Sequence, residues 1–211
     1  MRPVHLAPHD ALLIVDVQND FLPGGSLAVP AGDEVVAVLN RYIALFTQSH
    51  LPVVATRDWH PATHCSFKPV GGIWPPHCIA ESRGAEFPAE LQLPSGTTII
   101  SKATETDKDA YSGFEGTDLA ERLHAAGVTR LFIGGLATDY CVLNTVSDAL
   151  QKQFEVMLLL DAIRAVEVRP GDGDAAIQEM RRQGAHPLTL SHLHSMARAT
   201  SVFHSGRMPA Q

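Results

Sequence analysis

Short apolar runs alternate with longer amphipathic segments along most of this chain. The runs are rich in β-branched residues and cover residues 12–17, 52–56, 97–101, 130–134, 154–160 and 186–190. They are almost continuous in hydrophobicity rather than alternating, which is typical of strands buried on both faces of a parallel sheet. The pattern therefore predicts about six strands in one mainly parallel sheet.

The segments between the runs carry apolar residues at helical spacing. The repeats are Val35, Leu39, Tyr42 and Phe46, then Leu119 and Leu123, then Val142, Val146 and Leu150, and finally Ile177 and Met180. Gly184, which follows the last repeat, is suited to end that helix. Strands that alternate with helices imply right-handed crossovers. The predicted fold class is a three-layer α/β/α structure with a single open, mainly parallel sheet of about six strands and a Rossmann-like layout.

One connection, residues 58–96, breaks this alternation. It has no convincing periodicity and is crowded with prolines, glycines and histidines. A compact domain seldom contains so long a loop unless the loop builds a site or is disordered. Two tryptophans and three histidines in this segment favour a site.

Length and composition indicate an ordinary globular domain. We expect the 211 residues to form one domain, 1–211, with a core at about 10–190 and a C-terminal tail at 191–211. Hydrophobic residues make up 45% of the chain, and 16 basic against 23 acidic residues leave a formal charge of −7. Without a basic block, the chain is not expected to bind nucleic acid or anionic membranes.

The N-terminal segment and the cysteines favour a cytoplasmic protein. Before Asp16 the chain has only a short apolar run, too short for a signal peptide or a membrane span. The three cysteines cannot all pair and show no CxxC spacing, so we expect free or catalytic thiols. A small-molecule substrate is the expected partner, and a homo-oligomer is compatible with these features.

Four polar residues follow the first four apolar runs: Asp16, Asp58, Lys102 and Cys141. Singly, each aspartate could cap a turn and the lysine could be solvated. Ligands of open α/β sheets bind beyond the carboxyl ends of the strands, so together the four predict a site. Asp16 could accept the proton of a nucleophilic Cys141 thiol, and Lys102 would lower the pKa of that thiol.

The segment "GGLATDYCV" places Cys141 at the start of a predicted helix. With Thr138 as the N-cap, the helix dipole would favour a thiolate in the first turn. The backbone N–H groups of Cys141 and of the turn at Leu136 and Ala137 could hold a tetrahedral oxyanion.

A second cluster lies in the long loop, in "DWHPATH" and "WPPHC". Asp58, His60 and His77 could bind one divalent ion, zinc, iron or manganese, or the histidines could simply hydrogen-bond the loop backbone. His64 could be a fourth ligand, a neighbour of a ligand or an exposed loop residue, and we favour the last. Phe21 and Trp74 could pack the loops or line a flat pocket.

These motifs together resemble the nicotinamidase branch of the isochorismatase-like cysteine hydrolases. The resemblance rests on "VDVQNDF" (15–21), "RDWHP" (57–61), "WPPHC" (74–78), Lys102 and "GLATDYCV" (135–142), and it covers roughly residues 10–190. It implies a six-stranded parallel sheet and hydrolysis of nicotinamide to nicotinate and ammonia, often with acceptance of pyrazinamide.

The resemblance also implies a role for each matching residue. Asp16, Lys102 and Cys141 match the catalytic triad, with the oxyanion held at Ala137 and Cys141 next to a cis peptide between Leu136 and Ala137. Asp58, His60 and His77 match the ligands of one divalent ion, for which zinc is the first choice. Phe21 and Trp74 match aromatic residues that sandwich the pyridine ring, and Leu136 and Ala137 complete the substrate contacts.

Two departures and two rival functions accompany this interpretation. Glu81 and Ser82 stand where relatives usually have a Gly-Thr pair, which bears on substrate preference, and Ala103 follows Lys102 in place of the usual glycine. The rivals are a cysteine hydrolase of ureido or carbamoyl substrates, relatives of which commonly lack the metal ligands, and a catalytically silent member that binds a ligand or partner. Isochorismatase itself, which does not need the cysteine, is disfavoured because all three triad positions are filled in this sequence.

Overall fold

A six-stranded parallel sheet forms the centre of the computed structural model, which describes residues 3–194. Two further short strands pair with each other outside this sheet. In chain order the strands are β1 (Val4–His5), β2 (Asp10–Val15), β3 (Val53–Asp58), β4 (Thr98–Lys102), β5 (Arg130–Leu136), β6 (Glu155–Arg164), β7 (His186–Leu188) and β8 (Leu193–His194). The spatial order in the large sheet is β4-β3-β2-β5-β6-β7, and every neighbouring pair is parallel.

Helices cover both faces of the sheet, and they are α1 (Glu34–Gln48), α2 (Leu119–Ala125), α3 (Leu143–Gln151) and α4 (Asp172–Gln183). Side chains along a strand point alternately to its two faces. Accordingly, Leu12 and Ile14 pack in one buried cluster with α1, whereas Leu13 and Val15 pack in a second cluster with α2, α3 and α4. All six residues of β2 are buried. The predicted three-layer α/β/α class and the mainly parallel sheet are confirmed.

The observed strand ends differ from the predicted ones where the backbone turns. β2 ends at Val15 because Asp16 has a left-handed backbone with φ of 48°. β6 continues to Arg164, four residues beyond the predicted end, past an irregularity in its pairing with β5. α4 ends as predicted, since Gly184 has φ of 118° and the N–H of the following residue bonds back to Met180.

The long connection after β3 is irregular, as predicted. It contains two three-residue 3-10 turns, Lys68–Val70 and Arg83–Ala85, and isolated bridges that join His60 to Ile79 and Phe67 to Trp74. Within the predicted tail, Leu193–His194 pairs with β1. Residues 195–211 of that tail lie outside the described residues.

Candidate active site

The ends of four adjacent strands bring the predicted residues together. Asp16 follows β2, Asp58 ends β3, Lys102 ends β4, and Cys141 lies in the turn after β5. Asp58 and Lys102 are direct partners in the β3–β4 register, and all four residues are buried. From β2 the chain continues on one side to β3 and β4, and it later returns on the other side as β5. Loops that leave β2 and β5 therefore diverge and open a crevice at this point.

Asp16 is held by one neighbour that the sequence analysis missed. Thr56, fully buried on β3, donates its hydroxyl to Asp16 Oδ1 at 2.6 Å, and its carbonyl accepts the Asp16 N–H at 3.2 Å. The other carboxylate oxygen, Oδ2, receives no well-aligned hydrogen bond from any described residue, although it lies 2.9 Å from Lys102 Nζ. A buried carboxylate oxygen in this state is ready to accept a proton from the nearby thiol.

The Lys102 ammonium lies at the centre of the cluster. It donates to Asp58 Oδ1 and, at 3.1 Å, to the Ala110 carbonyl, and it lies 3.6 Å from Cys141 Sγ. Burial lowers the pKa of Lys102, but the carboxylates of Asp16 and Asp58 raise it by more than burial lowers it. The net result is a pKa well above the ordinary value of a lysine. Lys102 is therefore a permanent cation and not a base. The alternative prediction, that Lys102 is a solvated surface residue, is wrong because the side chain is buried.

The Cys141 thiol is protonated at rest. Burial raises its pKa well above the ordinary value, and Asp16 and Asp58 add to this, whereas Lys102 acts in the opposite direction. The predicted effect of Lys102 is confirmed in its direction, but the loss of solvation outweighs this single cation, so the net shift of the thiol pKa is upward. Burial also raises the pKa of Asp16, against the opposing effect of Lys102 and with the help of Asp58. Proton transfer between the two groups has to occur within the reaction.

A π-helical turn, Thr138–Val142, carries Cys141 into α3. Thr138 is not the N-cap: it makes no side-chain capping bond, and the Ala137 carbonyl accepts the N–H groups of Tyr140 and Val142. The peptide bond between Leu136 and Ala137 is cis, as the resemblance implied. No backbone hydrogen bond within residues 3–194 uses the Ala137 N–H, which leaves this donor available.

The three predicted metal ligands also come together. Asp58, His60 and His77 are buried, and one ligand atom from each lies within 4.8 Å of the others. His60 Nδ1 lies 3.1 Å from the His77 carbonyl, and His77 Nδ1 lies 2.8 Å from the Pro75 carbonyl. A carbonyl only accepts, so both Nδ1 atoms carry the proton and both Nε2 atoms present a lone pair.

The charge state of His60 suits a metal ligand. Burial lowers its pKa to about 3, and His77, His64 and Lys102 contribute to the decrease, so the imidazole is neutral near pH 7. Its Nε2 lies 3.9 Å from Asp58 Oδ1. Two imidazoles and a carboxylate form a donor set that fits zinc, iron or manganese.

His64 is fully buried, so its interpretation as an exposed loop residue is wrong. Its ring stacks on that of His60 with centroids 4.2 Å apart, its Nδ1 lies 2.8 Å from Ser66 Oγ, and its Nε2 lies 3.0 Å from the Lys108 carbonyl. Both ring nitrogens are thus occupied by protein groups. A second possible metal-binding group consists of His60, His64 and the exposed Asp109. It is a weaker donor set than Asp58, His60 and His77, because both ring nitrogens of His64 already face protein groups.

Cys141 lines an aromatic cavity. Phe21 and Trp74 both line it, as predicted, together with Tyr111 and Tyr140, which the sequence analysis missed. Trp74 donates its indole N–H to the Tyr111 hydroxyl at 3.0 Å and meets the Tyr140 ring edge-on with centroids 5.1 Å apart.

Members of both clusters line the same cavity. Asp58, His77, Ala137 and Cys141 line it beside the aromatic rings. Leu136 does not contribute, because its side chain is fully buried in the core. A larger open groove of about 860 Å³ lies elsewhere, between the 19–25 segment and α1, but none of the thiols or histidines lines it. The chemistry therefore lies in the smaller cavity.

A buried thiol, a carboxylate and a lysine at the strand ends of a parallel sheet define a cysteine hydrolase. The chain belongs to the isochorismatase family, since residues 10–192 match the Isochorismatase domain. Within that family it is similar to the nicotinamidase of Escherichia coli (strain K12), with 38% identity over 205 residues, covering 87% of this chain and 96% of the relative.

Solved structures agree with this relationship. The pyrazinamidase of Pyrococcus horikoshii in complex with zinc is 50% identical with a TM-score of 0.83, covering 86% of this chain and 99% of that one. PnC1 from L. infantum in complex with nicotinate is 38% identical with a TM-score of 0.83, and the match covers 92% of this chain and 99% of that one. Among the described residues, no helix is long and apolar enough to cross a bilayer.

Proposed function

We propose that this protein is a nicotinamidase, which hydrolyses nicotinamide to nicotinate and ammonia and also accepts pyrazinamide. The observation that carries the proposal is that the Cys141 thiol, with Asp16 and Lys102 beside it, lines an aromatic cavity that also reaches His77. Nicotinamidase and pyrazinamidase relatives that cover most of this chain support it.

The first half of the reaction forms a thioester. Asp16 Oδ2 accepts the Cys141 proton as the sulfur attacks the carboxamide carbon, and the oxyanion accepts hydrogen bonds from the N–H groups of Ala137 and Cys141. Lys102 stays protonated and stabilises the thiolate that forms beside it. When the C–N bond breaks, Asp16 returns its proton to the departing nitrogen, and ammonia leaves.

The second half regenerates the enzyme. Asp16, again ionised, removes a proton from a water molecule that attacks the thioester carbon. The C–S bond breaks, the acid is released, and the Cys141 sulfur recovers the proton from Asp16. One base thus serves both steps, which agrees with the raised pKa of this buried carboxyl group.

Asp58, His60 and His77 would hold one divalent ion, for which we propose zinc, with iron or manganese as alternatives. The ion, when bound, would hold the ring nitrogen of the substrate, directly or through water, and so orient the ring. Phe21 and Trp74 would enclose the two faces of the ring, and Ala137 would contact its amide end. His64 would support the ring of His60 by stacking.

We also propose a cytoplasmic location, because all three cysteines are free thiols, as expected in a reducing compartment. The sites that this proposal uses all come from one chain, so it requires no particular oligomeric state.

The decisive experiment compares nicotinamide, pyrazinamide, benzamide and an N-carbamoyl amino acid at equal concentration, with ammonia release as the measurement. Nicotinamide and pyrazinamide should be hydrolysed, and benzamide, which lacks the ring nitrogen, should be slower by roughly tenfold or more if that contact is worth about 1.4 kcal/mol. Faster hydrolysis of the carbamoyl compound would favour the ureido rival. Absence of ammonia from all four would favour the silent binding member.

A further inference from the structure

Gln18 has a side chain that is fully buried and is not part of the catalytic cluster. Its Nε2 donates to the carbonyls of Asp58, at 2.8 Å, and of Ala85, at 2.9 Å, and its Oε1 accepts the Asp58 N–H at 2.8 Å. One N–H group and two carbonyls surround the amide, so only one orientation of the amide satisfies all three. Gln18 therefore holds both backbone polar groups of Asp58.

This contact extends the sheet beyond the end of β2. The last regular β2–β3 pair joins Ile14 to Ala55, and the Asp16 N–H still reaches the Thr56 carbonyl. Beyond that point β2 has ended, and the amide of Gln18 occupies the place of the missing strand beside Asp58. Asp58 keeps its backbone pairing with Lys102 of β4, but on the side that faces β2 its backbone is held by the Gln18 side chain in place of a strand.

Asp20, two residues further along, holds the segment that carries His77. Its Oδ2 accepts the N–H of Cys78 at 2.7 Å, and its Oδ1 accepts the N–H of Ser26 at 3.2 Å. Gly84 makes room for this carboxylate, since a Cβ at position 84 would lie 2.1 Å from Asp20 Oδ2. The loop that carries His77 is thus fastened immediately after the ligand.

We propose that Gln18 and Asp20 are positioning residues for the divalent ion, Gln18 through Asp58 and Asp20 through His77. This inference rests on the metal site of the proposed function. One ligand lies at the end of β3 and the other in an irregular loop, and the 18–20 segment is hydrogen-bonded to both regions, at Asp58 and at Cys78. Without these contacts the ligands would have to be ordered by the ion itself, which would weaken its binding.

The test measures Zn²⁺ and Mn²⁺ affinity by competition with a chromogenic chelator in wild type, Gln18→Glu and Asp20→Ala. Gln18→Glu keeps the shape of the side chain but removes both donated hydrogen bonds. Each variant should bind both ions roughly tenfold or more weakly. The activity lost by Gln18→Glu should return at saturating Zn²⁺, because Asp16, Lys102 and Cys141 are unchanged.

Asn40→Asp is the matched control. Like Gln18, Asn40 both donates to and accepts from the backbone of a loop: its Nδ2 donates to the Glu90 carbonyl and its Oδ1 accepts the Gln92 N–H. These hydrogen bonds involve none of the metal ligands. This variant should bind Zn²⁺ as tightly as wild type. Thermal midpoints are measured alongside, and if buried Gln18→Glu does not fold, the half-buried Asp20→Ala still decides the question.

Three results would overturn the inference. Wild-type affinity in both Gln18→Glu and Asp20→Ala would show that the contacts do not position the ligands. Lost turnover that saturating Zn²⁺ does not restore, with unchanged affinity, would show that Gln18 acts through Asp16 instead. A wild-type protein that binds neither ion but releases ammonia from nicotinamide would remove the metal site while leaving the amidase activity in place.

Discussion

Individual residues of the catalytic cluster depend on one another for their charge. Cys141 and Asp16 both have raised pKa values because burial disfavours their charged forms, and the nearby Lys102 only partly offsets this. Burial therefore favours the neutral thiol of Cys141 and makes Asp16, when ionised, a better base than an exposed aspartate. This arrangement suits a base that must accept a proton and later return it.

Cys141→Ala should reduce ammonia release to background, because no other group can form the thioester. The variant should stay folded, since it removes one atom from a site at the edge of the core. Cys65→Ala is the control: Cys65 is half-buried and outside the cluster, so turnover should remain near wild type. Near-normal turnover of Cys141→Ala would rule out the thioester mechanism.

Thr56→Val should move the acid limb of the pH profile of kcat/KM to higher pH. The hydrogen bond from Thr56 lowers the pKa of Asp16, so its removal raises that pKa further, and the ionised base is lost at a higher pH. Thr145→Val is the matched control, a fully buried threonine that bonds the Gly113 N–H instead. An acid limb that stays in place in Thr56→Val would contradict the role of Asp16 as the base.

At the level of elements, the approach of β5 to β2 determines where the nucleophile lies. Gly135 has φ of 126°, and a Cβ there would lie 2.0 Å from the Val15 carbonyl oxygen. The pairing of β5 with β6 is irregular at this point. The last residues of β5 lead directly into the turn that carries Cys141, so this close backbone contact places the thiol beside Asp16.

Gly135→Ala should lower the free energy of unfolding by about 3 kcal/mol and reduce kcat as well, because both the backbone conformation and the space exclude a side chain. Urea denaturation measures the first effect. Gly171→Ala is the control, with φ of 95° but open space around the Cβ position, and it should cost about 1 kcal/mol without a change in kcat. Equal losses in the two variants would contradict the packing argument.

The whole molecule places its site at the point where the strand order reverses. The chain builds outward from β2 through β3 to β4 and later returns to β5 on the other side. Asp58 and His60 come from one side of this crevice, Cys141 from the other, and the long 58–96 connection supplies His77 and Trp74 above it. An ion at Asp58, His60 and His77 would join the end of a strand to that connection and so stabilise the folded chain.

Elemental analysis of protein purified without chelator should find close to one divalent ion per chain. Removal of the ion should lower Tm by roughly 5–10 °C, because binding at about 100 times the dissociation constant contributes about 2.7 kcal/mol. In His60→Ala the chelator should leave Tm unchanged, since one ligand is already missing. Full activity in strong chelator would argue against the metal site.

The sequence by itself determined the class of fold and the chemistry of the strand ends. Continuous apolar runs predicted the six strands because burial on both faces leaves no place for polar side chains. The polar residues that follow these runs could be identified as site candidates because parallel strands all have their carboxyl ends at one edge of the sheet, where ligands bind. Asp16, Asp58, Lys102 and Cys141 were found in this way, and short motifs identified His60 and His77.

Only the tertiary structure decided how these groups interact. Thr56, Gln18, Tyr111 and Tyr140 look like ordinary strand or loop residues in the sequence, because their roles come from partners that are distant along the chain. The high pKa of Cys141 could not be predicted either, since it depends on how completely the fold removes water from a thiol flanked by charges of both signs. Local patterns encode element type and residue chemistry, whereas desolvation and long-range contacts exist only once the chain is packed.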